Sequence, residues 1–97
     1  MIYSAEAAAQ VDDLRRHYRA ISRIEALRNL AVTLTEAEAQ IEQNTAAGLP
    51  APRPYPELVR PGLAWMKAGR YWIAYSTARP PVILGVFYET ADIPNRI

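Results

Sequence analysis

Lys67, Arg70, Arg79 and Tyr88 are the residues of this chain whose types best suit chemistry on a phosphate: three cations to hold the anion and a phenol to move a proton. A tyrosine acts as a general base only if its pKa falls far below about 10. Nothing in the neighbouring sequence promises that, so Tyr88 also reads as an ordinary strand aromatic. His17 is the only histidine and has no second histidine or cysteine at ligand spacing, which leaves it a surface or boundary residue. Asp12 and Asp13 are adjacent, so a helix points them in different directions and they form no acid/base pair. Gly-rich phosphate loops, a Gly-x-Ser-x-Gly elbow and metal-ligand clusters are all missing, and no cofactor is implied. These absences favour a protein that acts by binding.

The elements that must position these groups follow from the pattern. Met1 to Tyr3 reads as a short strand, and Ser4 as an N-cap with Glu6 in the first helical turn. Ala8, Val11, Leu14, Tyr18 and Ile21 then recur at spacings of three and four, the stripe of a helix facing a core. Ser22 and Glu25 have capping-box spacing and start a second helix at about Arg23. Leu27, Leu30, Leu34, Ala37 and Ile41 continue it, and Gly48 is a natural stop. Thr35 and Glu38 offer a second capping box, but a continuous helix is simpler. The two helices make an antiparallel hairpin with a very short turn.

Five prolines, at 50, 52, 54, 56 and 61, then forbid helix and remove ladder donors, so residues 48–61 read as an extended connector. Leu63 to Lys67, Arg70 to Ser76 and Pro81 to Tyr88 read as three strands, with a tight turn at Ala68-Gly69. One register pairs Tyr71 with Val86, Ile73 with Leu84 and Tyr75 with Val82 on the core face. The other face then pairs Trp72 with Gly85, so that the indole lies over a residue without a side chain, and Arg70 with Phe87.

The expected fold class is α+β, with the N-terminal strand and helical hairpin packed on one face of a small antiparallel sheet. Residues 1–97 form a single domain, divided into 1–47, the connector 48–61, strands 62–88 and a tail 89–97. Two helices shelter one face, so Trp72, Ile83 and Phe87 are expected on the other, exposed and awaiting a partner.

Composition narrows the class further. Ninety-seven residues allow one core, the formal charge is +1, and there is no cysteine, which excludes disulfides and thiolate metal sites. From Pro61 onward Lys67, Arg70, Arg79 and Arg96 face only Glu89 and Asp92, a bias well short of a nucleic-acid footprint. No secretory or membrane-spanning pattern stands out, so a cytoplasmic protein is expected.

The order strand, helical hairpin, linker, antiparallel strands, with Gly-Arg-Tyr-Trp-Ile-Ala-Tyr at 69–75 and Val-Phe-Tyr-Glu-Thr-Ala-Asp-Ile-Pro at 86–94, resembles the RelE/ParE family of bacterial toxins. The resemblance spans nearly the whole chain. It implies the toxin half of a type II toxin-antitoxin pair, neutralised by an antitoxin that wraps around it. RelE-like members cut messenger RNA in the ribosome, whereas ParE-like members poison DNA gyrase by binding.

The nuclease branch tends to place an arginine directly after the first tyrosine of the Tyr-x-x-x-Tyr strand, a position held here by Trp72. Relatives of both types often end the last strand with a histidine and follow it with an arginine just before an aspartate; this chain has Tyr88, and Ala91 ahead of Asp92. The resemblance therefore points to the ParE branch, with a ParD-like antitoxin, a higher-order hetero-oligomer and DNA gyrase as target. Asp92, Asn95 and Arg96 are the candidates for target contact, and Leu14, Tyr18, Trp72 and Phe87 for antitoxin contact. Deleting residues 92–97 is expected to abolish toxicity and spare antitoxin binding. Two alternatives stand beside this: a RelE-like ribosome-dependent endoribonuclease built on Lys67, Arg70, Arg79 and Tyr88, and a non-toxic binding module of the same fold.

Overall fold

A computed structural model describes residues 1–96; Ile97, the last residue of the expected tail, lies outside the described residues. Ser4 stops the first strand and starts the first helix. Its backbone is extended and its Oγ accepts from the Ala7 N–H at 3.1 Å, satisfying one of the orphan donors of the first turn. The helix that follows, α1, spans Ala5–Ala20. Its stripe is turned slightly from the expected one: Ala7 and Val11 are buried, Leu14 and Tyr18 half-buried, and Ala8 and Ile21 exposed.

Ser22 does not cap the second helix, as its spacing to Glu25 suggested. It sits at φ +55° and closes the first helix: the Arg23 N–H donates to Tyr18 O at 2.8 Å and the Ser22 N–H to Arg19 O at 3.1 Å. Those two bonds define a Schellman stop, which commits Ser22 to the left-handed region and denies it the extended backbone an N-cap needs. The second helix, α2, spans Ile24–Gln43 with Arg23 at its boundary and no side-chain cap. It runs unbroken past Thr35, whose hydroxyl donates back to Ala31 O at 3.0 Å. Leu30, Leu34, Ala37 and Ile41 form its buried seam.

The sheet contains β1 (Ile2–Tyr3), β2 (Leu63–Ala68), β3 (Tyr71–Ser76) and β4 (Val82–Tyr88), in spatial order β1-β4-β3-β2. The last three strands are antiparallel, but β1 pairs parallel with β4, placing Ile2 opposite Val82 and Tyr3 opposite Ile83. The sheet is therefore mixed rather than wholly antiparallel. No turn joins β1 to β4, so nothing local dictates their relative sense.

The β3–β4 register also differs from the expected one. Tyr71 faces Tyr88, Trp72 faces Phe87, Ile73 faces Val86 and Ala74 faces Gly85, after which the pairing shifts so that Tyr75 faces Ile83. Leu84 is the extra residue of this bulge and is 40% exposed. Because the offset is two residues at Tyr71 and Ile73, their faces are unchanged. Gly85 is covered not by Trp72 but by Phe87 of its own strand: a Cβ there would lie 2.5 Å from the Phe87 ring.

Both faces of the sheet are covered. The helices bury Tyr71, Ile73, Tyr75, Ile83 and Val86 on one side. On the other, Trp65, Trp72, Ala74 and Phe87 pack against Ala51 and Leu58 of the connector and Ile93 of the tail. Trp72 and Phe87 are each only 3% exposed, and Ile83 belongs to the helix-facing core, so the expected open face does not exist. The reason lies in the connector. It is pinned to the β2 edge by Leu49, which exchanges two 2.7 Å hydrogen bonds with Trp65, and it lays its apolar residues across the strands, Leu58 from a single 3-10 turn at Pro56–Leu58 that the prolines did not forbid. Each aromatic ring so buried removes roughly 150–250 Å² from water, about 4–6 kcal/mol at most, which suffices to hold an irregular segment as a second layer.

Candidate functional site

The β2–β3 turn brings Lys67 and Arg70 onto Glu89, with Tyr88 beside Arg70. Gly69 takes φ +56° in that turn, where a side chain would be strained. Glu89 follows β4, and its N–H donates to Arg70 O at 2.8 Å, which fixes its carboxylate between two cations. Lys67 Nζ lies 3.0 Å from Glu89 Oε2 and Arg70 Nη1 lies 3.3 Å from Oε1. Hydrogen bonding to Tyr88, then the charges of Tyr88 and Glu89, hold the Arg70 guanidinium above its ordinary pKa.

Behind this cluster the phenols of Tyr18 and Tyr71 share a 2.5 Å hydrogen bond, and the Tyr71 and Tyr88 rings meet edge to face at 5.6 Å. Burial, followed by the Tyr18 hydrogen bond, pushes the Tyr71 pKa well above its usual value. That shift is opposite in sign to what a general base requires. Arg79 stands apart, in the loop after β3 beside Pro80 and Pro81 and facing Glu42 and Asn44. The length of β3 separates it from Arg70, on the order of 20 Å. Three of the four candidate nuclease residues thus converge and the fourth does not.

The position directly after Tyr71 is closed to any phosphate. Trp72 lies inside the second core, with the Arg53 guanidinium and the Lys67 ammonium each 5.6 Å from its ring centre. The exposed His17 ring packs 5.8 Å from Tyr18. Asp12 and Asp13 pair separately with Arg15 at 3.7 Å and Arg16 at 2.7 Å, surface contacts of little energetic weight. Among the described residues no group of three histidine or acidic side chains is placed to hold a metal ion, and no helix is long and apolar enough to cross a membrane.

Of the candidates for antitoxin contact, Leu14 and Tyr18 line an open cleft of about 790 Å³ between the α1–α2 turn and the β2–β3 turn. Arg23, Arg70, Tyr71 and Tyr88 line it too. Trp72 and Phe87, being buried in the second core, line no part of it. Of the tail candidates, Asp92 and Asn95 are exposed and joined by a 2.5 Å side-chain hydrogen bond, and Arg96 is exposed beside Gln10, Asp13 and His17. Ile93 between them is fully buried. The tail therefore contributes Ile93 to the core, while Asp92, Asn95 and Arg96 stay outside it.

Three positions that organise these sites were not singled out from the sequence. Glu89 bridges the cations, Tyr71 links α1 to the cluster, and Arg53 covers Trp72. A lone arginine between two prolines was the one available signal for Arg53, since a segment with so few free dihedrals holds its side chains in place.

A chain of the chromosomal ParDE TA system from P. aeruginosa superposes on this one with a TM-score of 0.66, at 21% identity, covering 89% of this chain and 90% of that one. The two-helix hairpin, short N-terminal strand and mixed four-stranded sheet described above are a ParE-like fold. No protein-family profile and no curated protein matches the sequence.

Proposed function

We propose that this chain is a ParE-like toxin of a type II toxin-antitoxin system, acting on DNA gyrase by binding and silenced by a ParD-like antitoxin in a hetero-oligomer in the cytoplasm. The observation that carries this reading over the nuclease alternative is the burial of Trp72. RNA cleavage needs a group that stabilises the phosphate in flight, and the position where the nuclease branch tends to keep its arginine holds a neutral indole enclosed by Arg53, Leu58 and Ile93. The ParE-like fold over nearly the whole chain supports the toxin class.

In this reading Asp92, Asn95 and Arg96 contact the target, and Leu14 and Tyr18 contribute to antitoxin binding. Trp72 and Phe87 serve the core instead. The test is induction of the chain in a bacterium lacking its antitoxin, with a supercoiling assay on purified gyrase. Growth arrest with inhibited supercoiling is expected. Codon-phased cuts in transcripts with supercoiling intact would instead establish the RelE-like mechanism, and normal growth the non-toxic module.

A further inference from the structure

We propose that the cleft where the connector meets the β2 edge binds a small organic carboxylate, with Arg53 and Lys67 holding the anion and the Trp65 indole N–H donating at the inner wall. Such a ligand would bind whether or not the chain acts as a toxin. The cleft measures about 260 Å³, and its walls include Gln40 of α2, Asn44 just past that helix, Leu49 and Arg53 of the connector, and Trp65 and Lys67 of β2. Its only charged residues are the two cations; no aspartate or glutamate lines it. Trp65 is fully buried, and its Nε1–H is the one buried side-chain polar group without a hydrogen-bond partner among the described residues. An orphan donor of this kind carries a desolvation cost that an acceptor at this wall would remove.

The two cations converge from different elements, each 5.6 Å from the centre of the Trp72 ring. Arg53 makes no ion pair among the described residues, whereas Lys67 is joined to Glu89 at 3.0 Å. The uncompensated charge therefore centres on Arg53, whose planar fork of donors matches a carboxylate. The strand edge supplies a further donor. Trp65 exchanges hydrogen bonds with Leu49 on the outer side of β2, and Lys67, two residues on, turns its N–H to that same side beyond the point where the connector pairs. Ile41 and Met66 add apolar wall, which calls for an apolar body behind the anionic head. The volume lies below the roughly 300–1,000 Å³ of pockets for drug-sized ligands, so a small acid fits and a nucleotide does not.

The test is titration of the isotope-labelled chain with hexanoate, with its uncharged counterpart hexanamide and with inorganic phosphate at constant ionic strength, read from the backbone and indole N–H signals by NMR. Hexanoate should bind saturably and move the Trp65 indole signal and the Lys67 backbone signal, while Ile2 at the opposite edge of the sheet stays in place. Hexanamide should bind the parent chain about tenfold more weakly than hexanoate, and Arg53→Gln should weaken hexanoate by a similar factor. Arg53→Lys, which keeps the charge and loses the fork, should fall between parent and Arg53→Gln. Circular dichroism confirms that the variants are folded; should Arg53→Gln fail to fold, the comparison of hexanoate with hexanamide on the parent chain carries the same criterion. A titration without saturation, an unmoved Trp65 indole signal or equal binding of hexanamide would each overturn the proposal. Phosphate binding more tightly than hexanoate would overturn the assignment of a carboxylate.

Discussion

The Arg53 guanidinium of the proline-rich connector lies over the Trp72 ring of strand β3, 5.6 Å from its centre, and so ties a largely irregular segment to the middle of the sheet. An exposed cation over an indole contributes about 0.5–1 kcal/mol, and the ring beneath is itself sealed from water. One pair of residues thus joins the irregular layer to the regular one.

Replacing Trp72 tests this layer directly. Trp72→Ala should destabilise the protein by about 3–5 kcal/mol, measured by urea unfolding, because it leaves a cavity beneath the connector. Trp72→Arg, which installs the nuclease-type arginine, should be at least as damaging. It would bury a cation beside Arg53 and Lys67 with no carboxylate among the second-core residues to receive it. An arginine variant of wild-type stability would show that the face opens readily.

Ser22 offers a change in the opposite direction. Its left-handed backbone suits glycine, so Ser22→Gly should stabilise the fold by about 0.5–1 kcal/mol after allowing for the greater freedom of glycine in the unfolded chain. For a domain of this size that corresponds to a rise in Tm of roughly 2–8 °C. A lower Tm would mean that the serine side chain contributes more than its backbone strain removes.

Gly48 is required for close approach rather than for a positive φ. A Cβ at this position would run into the Tyr75 hydroxyl, which donates to Thr45 O at 2.9 Å. Gly48→Ala should therefore cost about 1–3 kcal/mol by forcing these groups apart. Adding Tyr75→Phe should recover part of that loss, and strictly additive effects in the double variant would exclude the contact as the cause.

The tail calls for separating its two contributions. Ile93→Ala should cost about 2–5 kcal/mol, since the side chain is fully buried in the second core. Deleting residues 92–97 therefore confounds target contact with folding. Asp92→Ala/Asn95→Ala/Arg96→Ala, with Ile93 kept, should retain its Tm and lose inhibition of supercoiling. Full inhibition by that variant would place target contact elsewhere.

Alkaline pH should loosen the N-terminal strand. Burial, followed by the Glu38 carboxylate, pushes the Tyr3 pKa up to about 12, against about 10 in the unfolded chain. A raised folded-state value means the native state holds the proton more tightly. The stability this supplies is complete below about pH 10 and is lost as pH rises toward 12. Tyr71, raised by burial and by Tyr18, adds to the loss in the same direction. Thermal unfolding across this range should show Tm falling, with a shallower fall for Tyr3→Phe; identical slopes would assign the effect to other groups.

The elements that announced themselves were those governed by near neighbours along the chain. Ser4 has an extended backbone and a helix directly after it, so its capping role was visible from residues 4–7. The seam of α2 from Leu30 to Ile41 and the division of β3 into Tyr71, Ile73 and Tyr75 against Trp72 and Ala74 follow from helical and strand periods. Ser22 shows where this kind of inference stops. Its spacing to Glu25 satisfies a capping box, but the Tyr18 and Arg19 carbonyls behind it claim its turn first.

Sequence alone determined the order of elements and the helix-facing side of β3, because apolar period and turn residues act over a few positions, while the likeness to a toxin fold rested on the resemblance of residues 69–75 and 86–94 to that family. Tertiary structure decided the parallel seat of β1, the bulge at Leu84, the gathering of Lys67 and Arg70 on Glu89, and the covering of Trp72 and Phe87. Each of these depends on residues far apart in the chain meeting across a surface. Leu58 and Ile93 can bury the same aromatic face without sharing any periodicity that would reveal it beforehand.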